Sequence, residues 1–164
     1  MKKLYSHHIR QRAVQQQGAA IVEFALVLTL LITLMAGIFE FGRAFWYYDA
    51  LTKSTRDGAR LMSVARNTAV ENGVTNTIAQ VVSAVTDAGV PNFTEANVQV
   101  TCHNAAFTAT IPCTSGTVIG GVRVQIIGYN MTIGQFIPFL LGGSNNYTAG
   151  LSPHTSMRYM PEVV

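Results

Sequence analysis

A chain of 164 residues, 49% hydrophobic and only 12% charged, has material for one modest core, and its charge content is about half the roughly 25% of soluble domains. The net charge of +3 is unevenly placed: Lys2, Lys3, Arg10 and Arg12 precede any acid, whereas from Ala19 onward seven basic residues face eight acidic ones. The basic pI therefore belongs to the leader, which removes the support for a nucleic-acid partner.

The first element in chain order is an apolar segment within Gln15–Gly42, QQQGAAIVEFALVLTLLITLMAGIFEFG. Phe24 to Phe39 is sixteen residues without a charge, and adding 19–23 gives twenty-one with one acid, Glu23. About 20 apolar residues as a helix cross the ~30 Å hydrocarbon core. Ten of the sixteen are Leu, Ile, Val or Phe, worth about −3 to −6 kcal/mol together on the insertion scale. A charge at mid-bilayer costs about 2.5–3.5 kcal/mol, and less near the interface where Glu23 lies. Insertion wins. Positive charge is retained on the cytoplasmic side, so the leader stays in and the body beyond about Glu40 lies outside. A cleaved secretory signal ending near Leu34-Met35-Ala36 competes, but its apolar core normally runs only about 7–15 residues.

The helical pattern continues to about Arg66. Ala44, Tyr48, Leu51, Thr55, Ala59, Met62 and Ala65 recur at three- and four-residue steps as one small-to-apolar stripe. Asp49 with Lys53, Lys53 with Asp57, and Asp57 with Arg60 can pair on the other side. Residues 19–66 would be about 72 Å long, about 30 Å of it in lipid, leaving a stalk under a small head. Phe45, Trp46, Tyr47 and Tyr48 suit an aromatic belt at the outer interface or packing under that head. Gly58 costs about 1 kcal/mol against alanine inside a helix, and the sequence leaves its reason open between a close approach and a kink.

Thr75 to Ala88 predicts a second amphipathic helix, with Ile78, Val81, Val82 and Val85 on one face and Gly89-Val90-Pro91 stopping it. Period-two alternation then marks strands at Asn97–Cys102 and Gly121–Ile126, the latter continuing less regularly to about Thr132. Phe107–Ile111 predicts a short strand, and Ser152–Tyr159 a final one with Pro153 at its start or edge. Cys102 and Cys113 can close a disulfide loop if this half is exported, and stay reduced thiols if it is not. The apolar run Phe136–Leu141, broken by Pro138, reads as a sheet-covering segment or as a docking or membrane-touching loop, followed by a surface turn at 142–146. The expected fold is α+β: a long transmembrane and stalk helix, a second helix and a small antiparallel sheet. The expected layout is a leader 1–18, a span 19–39, a stalk 40–70 and a head 71–164.

Catalytic signatures are missing. His7, His8, His103 and His154 have no metal-ligand spacing, and no zinc-protease, serine-elbow or phosphate-loop pattern occurs, so neither enzyme chemistry, a metal nor a cofactor is expected. The three Asn-x-Thr sequons, at Asn92, Asn130 and Asn146, read as chance matches.

A basic leader, Gly18-Ala19, Glu23 and an apolar helix together resemble the class III signal of type IV pilins and pseudopilins. Gly18 with Val22-Glu23-Phe24-Ala25-Leu26, Glu40-Phe41-Gly42-Arg43, and Arg56-Asp57-Gly58-Ala59-Arg60 are more narrowly similar to the TadE-like family of the tight-adherence (Flp) pilus system. That resemblance implies a pilin-like head and removal of the leader between Gly18 and Ala19 by a membrane prepilin peptidase. It also implies a single-pass inner-membrane protein, its head periplasmic or extracellular, whose partners are pilins, pseudopilins and the assembly platform. The motif residues Glu40, Gly42, Arg43, Arg56, Asp57, Gly58 and Arg60 would serve that role. Cleavage would place the new Ala19 ammonium four residues before Glu23, on the same helix face, where it or a neighbouring subunit's amine could pair with the carboxylate. Two other readings remain: a signal-anchored or secreted envelope binding domain without a role in pili, and a membrane-tethered envelope enzyme.

Overall fold

The structure is a computed structural model that describes the backbone of residues 2–134 and 147–160, with side chains from 18 onward. The expectations for 135–146, including the Phe136–Leu141 run, lie outside the described residues. The fold is α+β: a long apolar helix, a second helix and a small antiparallel sheet.

Helix α1 runs Lys2–Ser63 without a break. Its Gly18–Ser63 portion is long and apolar enough to cross a membrane, and no residue of its most apolar stretch is buried. Exposure of that kind is costly in water and natural in lipid. The two hydroxyls in the span are satisfied within the helix. Thr29 Oγ1 donates to the Ala25 carbonyl and Thr33 Oγ1 to the Thr29 carbonyl, each at 2.8 Å, so neither would carry an unpaired donor into a bilayer.

From Glu40 onward α1 becomes the central helix of the head. Leu51, Thr55, Ala59 and Met62 are fully buried. The expected stripe departs from the structure at one position: Tyr47 packs against the core, and Tyr48 is 49% exposed. The buried face drifts around the helix axis, from Glu40, Arg43 and Tyr47 near the span to Ala59, Met62 and Ser63 at the far end. A twisted sheet imposes such a drift on a straight helix, and no strictly periodic stripe reproduces it. Of the three expected ion pairs, Lys53 with Asp49 forms, at 2.7 Å and well exposed.

Helix α2, Val70–Asp87, starts five residues before the expected Thr75. Its N-cap, Ala69, has no side chain able to cap, and the start is held instead by burial of Val70. It stops where Gly89 takes φ +77, which lets the Gly89 N–H reach the Thr86 carbonyl and the Val90 N–H reach the Val85 carbonyl. Val81 and Val85 are buried on the face toward α1. The helices cross at Gly58, where a Cβ would lie 2.6 Å from Val81 Cγ2 and 3.2 Å from Thr77 Cγ2. That settles the sequence's open question: glycine is needed for close approach.

The main sheet has the order β2-β1-β3-β6, with β1 Val98–His103, β2 Thr110–Ile111, β3 Gly121–Ile126 and β6 His154–Arg158, all neighbours antiparallel. Strand β3 ends at Ile126. Gly128 at φ +63 turns the chain, and the expected irregular continuation is a separate strand β4, Asn130–Ile133, paired with β5, Tyr147–Gly150. Val98, Cys102, Val122, Val124 and Ile126 are buried against the helices, each large side chain contributing about 1.5–3 kcal/mol. Thr55 Oγ1 and Thr155 Oγ1, 3.1 Å apart, tie α1 to β6.

Cys102 and Cys113 are disulfide-bonded, Cα atoms 5.3 Å apart, closing the β1–β2 hairpin over eleven residues. Cys102 is fully buried beside Met62, Val70 and Val122. Replacing both cysteines with alanine is expected to lower unfolding free energy by about 2–3 kcal/mol. Chemical denaturation of the full chain in detergent measures this, and a loss under about 0.5 kcal/mol would contradict the bridge's role.

Candidate functional site

Three features of α1 carry the sequence's site residues. Gly18 and Ala19 lie within the continuous helix, exposed, with open space where a Gly18 Cβ would be. Glu23 lies one turn further on, also exposed and, among the described residues, with no ion-pair partner in its own chain. On a helix Ala19 and Glu23 share a face, so a charge created at residue 19 would lie beside the carboxylate.

The second feature is the junction between span and head. Glu40 is 5% exposed, although it stands directly after sixteen uncharged residues. Its Oε2 accepts from Arg43 Nη2 at 2.7 Å, and the same nitrogen donates to the Thr132 carbonyl of β4 at 2.9 Å. A buried carboxylate is tolerable only with such a partner. The sequence marked both residues through a motif; their joint hold on β4 it did not reveal. Trp46 Nε1 donates to the Ala88 carbonyl at 2.9 Å, tying the end of α2 to the same region. Of the aromatic cluster, Trp46 and Tyr47 thus touch the head, while Phe45 packs at a tilt against Phe41, ring centroids 4.8 Å apart, with both rings exposed. Gly42 has open space around it.

The third feature is the Arg56–Arg60 stretch. Gly58 is buried under α2, whereas Arg56, Asp57 and Arg60 are exposed to solvent. The motif therefore combines one packing position with three surface charges.

At the far end of the head, Tyr159 donates its hydroxyl to the Ala65 carbonyl at 2.6 Å, and the Met160 N–H bonds the Ser63 carbonyl at 2.8 Å. Burial raises the Tyr159 hydroxyl above its ordinary value, so it remains a donor well into the alkaline range. Glu71 accepts from the Ser115 N–H at 2.8 Å and from the Ser115 hydroxyl, which holds its carboxyl below the usual range.

A polar hollow of about 90 Å³ at the junction is lined by Arg43, Tyr47, Asn92, Tyr129 and Asn130 among others. Small-molecule sites run to about 300–1,000 Å³, so this one suits ordered water better than a substrate. Among the described residues no three His, Cys, Asp or Glu side chains cluster to hold a metal.

With the geometry in place, residues 18–60 match the sequence model of a family described as TadE-like protein. The matched stretch begins at the expected cleavage glycine and takes in the span, the Glu40–Arg43 junction and the Gly58 crossing. No curated protein and no solved structure matches the chain.

Proposed function

With residues 18–60 TadE-like, we propose that this protein is a minor pseudopilin of the tight-adherence pilus system, working through helix packing and head contacts and without catalysis. The observation that carries the reading is the coincidence of that match with an unburied apolar stretch of α1 whose one acid, Glu23, has no ion-pair partner among the described residues. An apolar rod with an acid near one end rewards neighbours that supply a cation at one height, because an unpaired carboxylate in lipid is expensive.

In this reading a prepilin peptidase removes residues 1–18 on the cytoplasmic face of the inner membrane. The mature chain stays anchored by its single span, head outward. The Ala19 amine, its own or a neighbour's, pairs with Glu23 and sets the axial register. The Glu40–Arg43 pair, fixed to β4, makes span and head one rigid lever, so register set in the bilayer is transmitted to the head. The assembly platform and the other pilins or pseudopilins are the partners this requires.

Deleting the protein tests the role. Cells lacking it should shed no tight-adherence fibres into the sheared fraction while still carrying the major pilin in the membrane, and complementation should restore the fibres. Normal fibre yield in the deletion would reject the proposal.

A further inference from the structure

The outer face of the sheet and helix α2 carry opposite charge. Because Val98, Cys102, Val122 and Val124 face the helices, the alternate positions form the sheet's outer face. The strand registers place those positions in three rows: His103–Gly121–Arg158, Thr101–Arg123–Ser156 and Gln99–Gln125–His154. None is acidic, and Arg123 is held over the sheet by its Nε–H bond to Ser156 Oγ at 3.0 Å. On the opposite side α1 and the loop after it expose both signs, Lys53, Arg56, Arg60 and Arg66 with Asp49 and Asp57, whereas α2 is acidic. From Asn67 to Val122 there is no lysine or arginine, and the acids there, Glu71 and Asp87 on α2 and Glu95 after it, are all exposed.

Height above the bilayer sets Arg158 level with Glu71, and His154 level with Asp87. Arg158 precedes Tyr159 and Met160, which bond Ala65 and Ser63 at the far end of α1. Glu71 lies in the first turn of α2, where Gly73 packs against Ala65, so it stands at that same far end. Asp87 adjoins Ala88, whose carbonyl Trp46 holds near the span, and His154 is paired with Gln125 at the near end of the sheet. Two heads anchored in one membrane have their far ends level, so the arginines of one meet Glu71 of the next without either span shifting.

We propose that the outer sheet face docks a second copy of this chain, receiving the Glu71-bearing face of its α2 through Arg123 and Arg158. The contact joins different faces, so it is heterologous and leaves both ends of a row open for further copies. It requires only two copies in one bilayer and does not depend on a role in pili. Both complementary surfaces belong to this one chain, at equal height, which favours a second copy over an unrelated acidic partner.

The test uses full-length protein in phosphatidylcholine liposomes, with donor- and acceptor-labelled populations mixed and energy transfer measured. Wild type should transfer above the random-mixing level, and association should weaken roughly tenfold as KCl rises from about 50 to about 500 mM. Arg123→Glu/Arg158→Glu alone and Glu71→Lys alone should each lose the signal. Mixing the two variants should restore it, since every contact in an alternating row is then attractive, and restoration also shows that both variants fold. Transfer at the random level in wild type, undiminished transfer within either variant, or no recovery in the mixture would each overturn the proposal.

Discussion

Replacing Glu23 with alanine is expected to leave the protein inserted and folded while cutting surface fibres by about tenfold or more. About 1.4 kcal/mol of lost coupling per subunit contact is enough for a tenfold change. Insertion should improve slightly, because removing a carboxylate from the edge of the hydrocarbon relieves a cost. The head should be indifferent, since Glu23 lies far along α1 from the first head contacts at Glu40 and Arg43. Glu23→Lys should be at least as damaging, because it sets a cation against the amine it is meant to meet. Membrane fractionation and quantification of sheared fibres read the two effects separately. Wild-type fibre yield from Glu23→Ala would remove the carboxylate from the account.

The second large effect is expected at Gly58. A leucine there would force its side chain into Val81, Thr77 and Val124, the first of which already lies 2.6 Å from where a Cβ would be. Overpacking a filled core costs about 1–3 kcal/mol and sometimes more. The upper end applies here because α1, α2 and β3 close around the site. A loss of about 3 kcal/mol should lower Tm by about 10 °C, measured by near-ultraviolet circular dichroism in detergent. Gly58→Ala should fall between, since about 1 kcal/mol of helix propensity partly offsets the clash. A leucine variant melting within about 2 °C of wild type would mean that the helices do not cross there.

The comparison between these two positions shows what the sequence could carry. Glu23 is legible because its surroundings are uniform: one acid among apolar residues is conspicuous whatever the tertiary structure. Gly58 is ambiguous in sequence because close approach and kinking call for the same residue, and only the position of Val81 decides. The same division runs through the fold. Strands β1 and β3 are announced by period-two alternation over six residues each. Strands β4 and β5 are four residues each and contain no long alternating run, so they depend on pairing with one another. The start of α2 was hidden because Thr75 offers a better local cap than Ala69, while burial of Val70 extends the helix past it. Tyr47 and Tyr48 are chemically alike and adjacent, and only the direction in which the core lies from α1 selects between them. The Glu40–Arg43 hold on Thr132 joins residues 89 apart in sequence, a distance over which spacing carries no signal.

Pairing at Glu23 requires a cation placed at residue 19 by processing, and mass spectrometry of the protein purified from membranes measures that directly. The mature chain is expected to begin at Ala19, unmodified or carrying a methyl group on its amine. A chain beginning at Met1, or one beginning near Ala36, would contradict it.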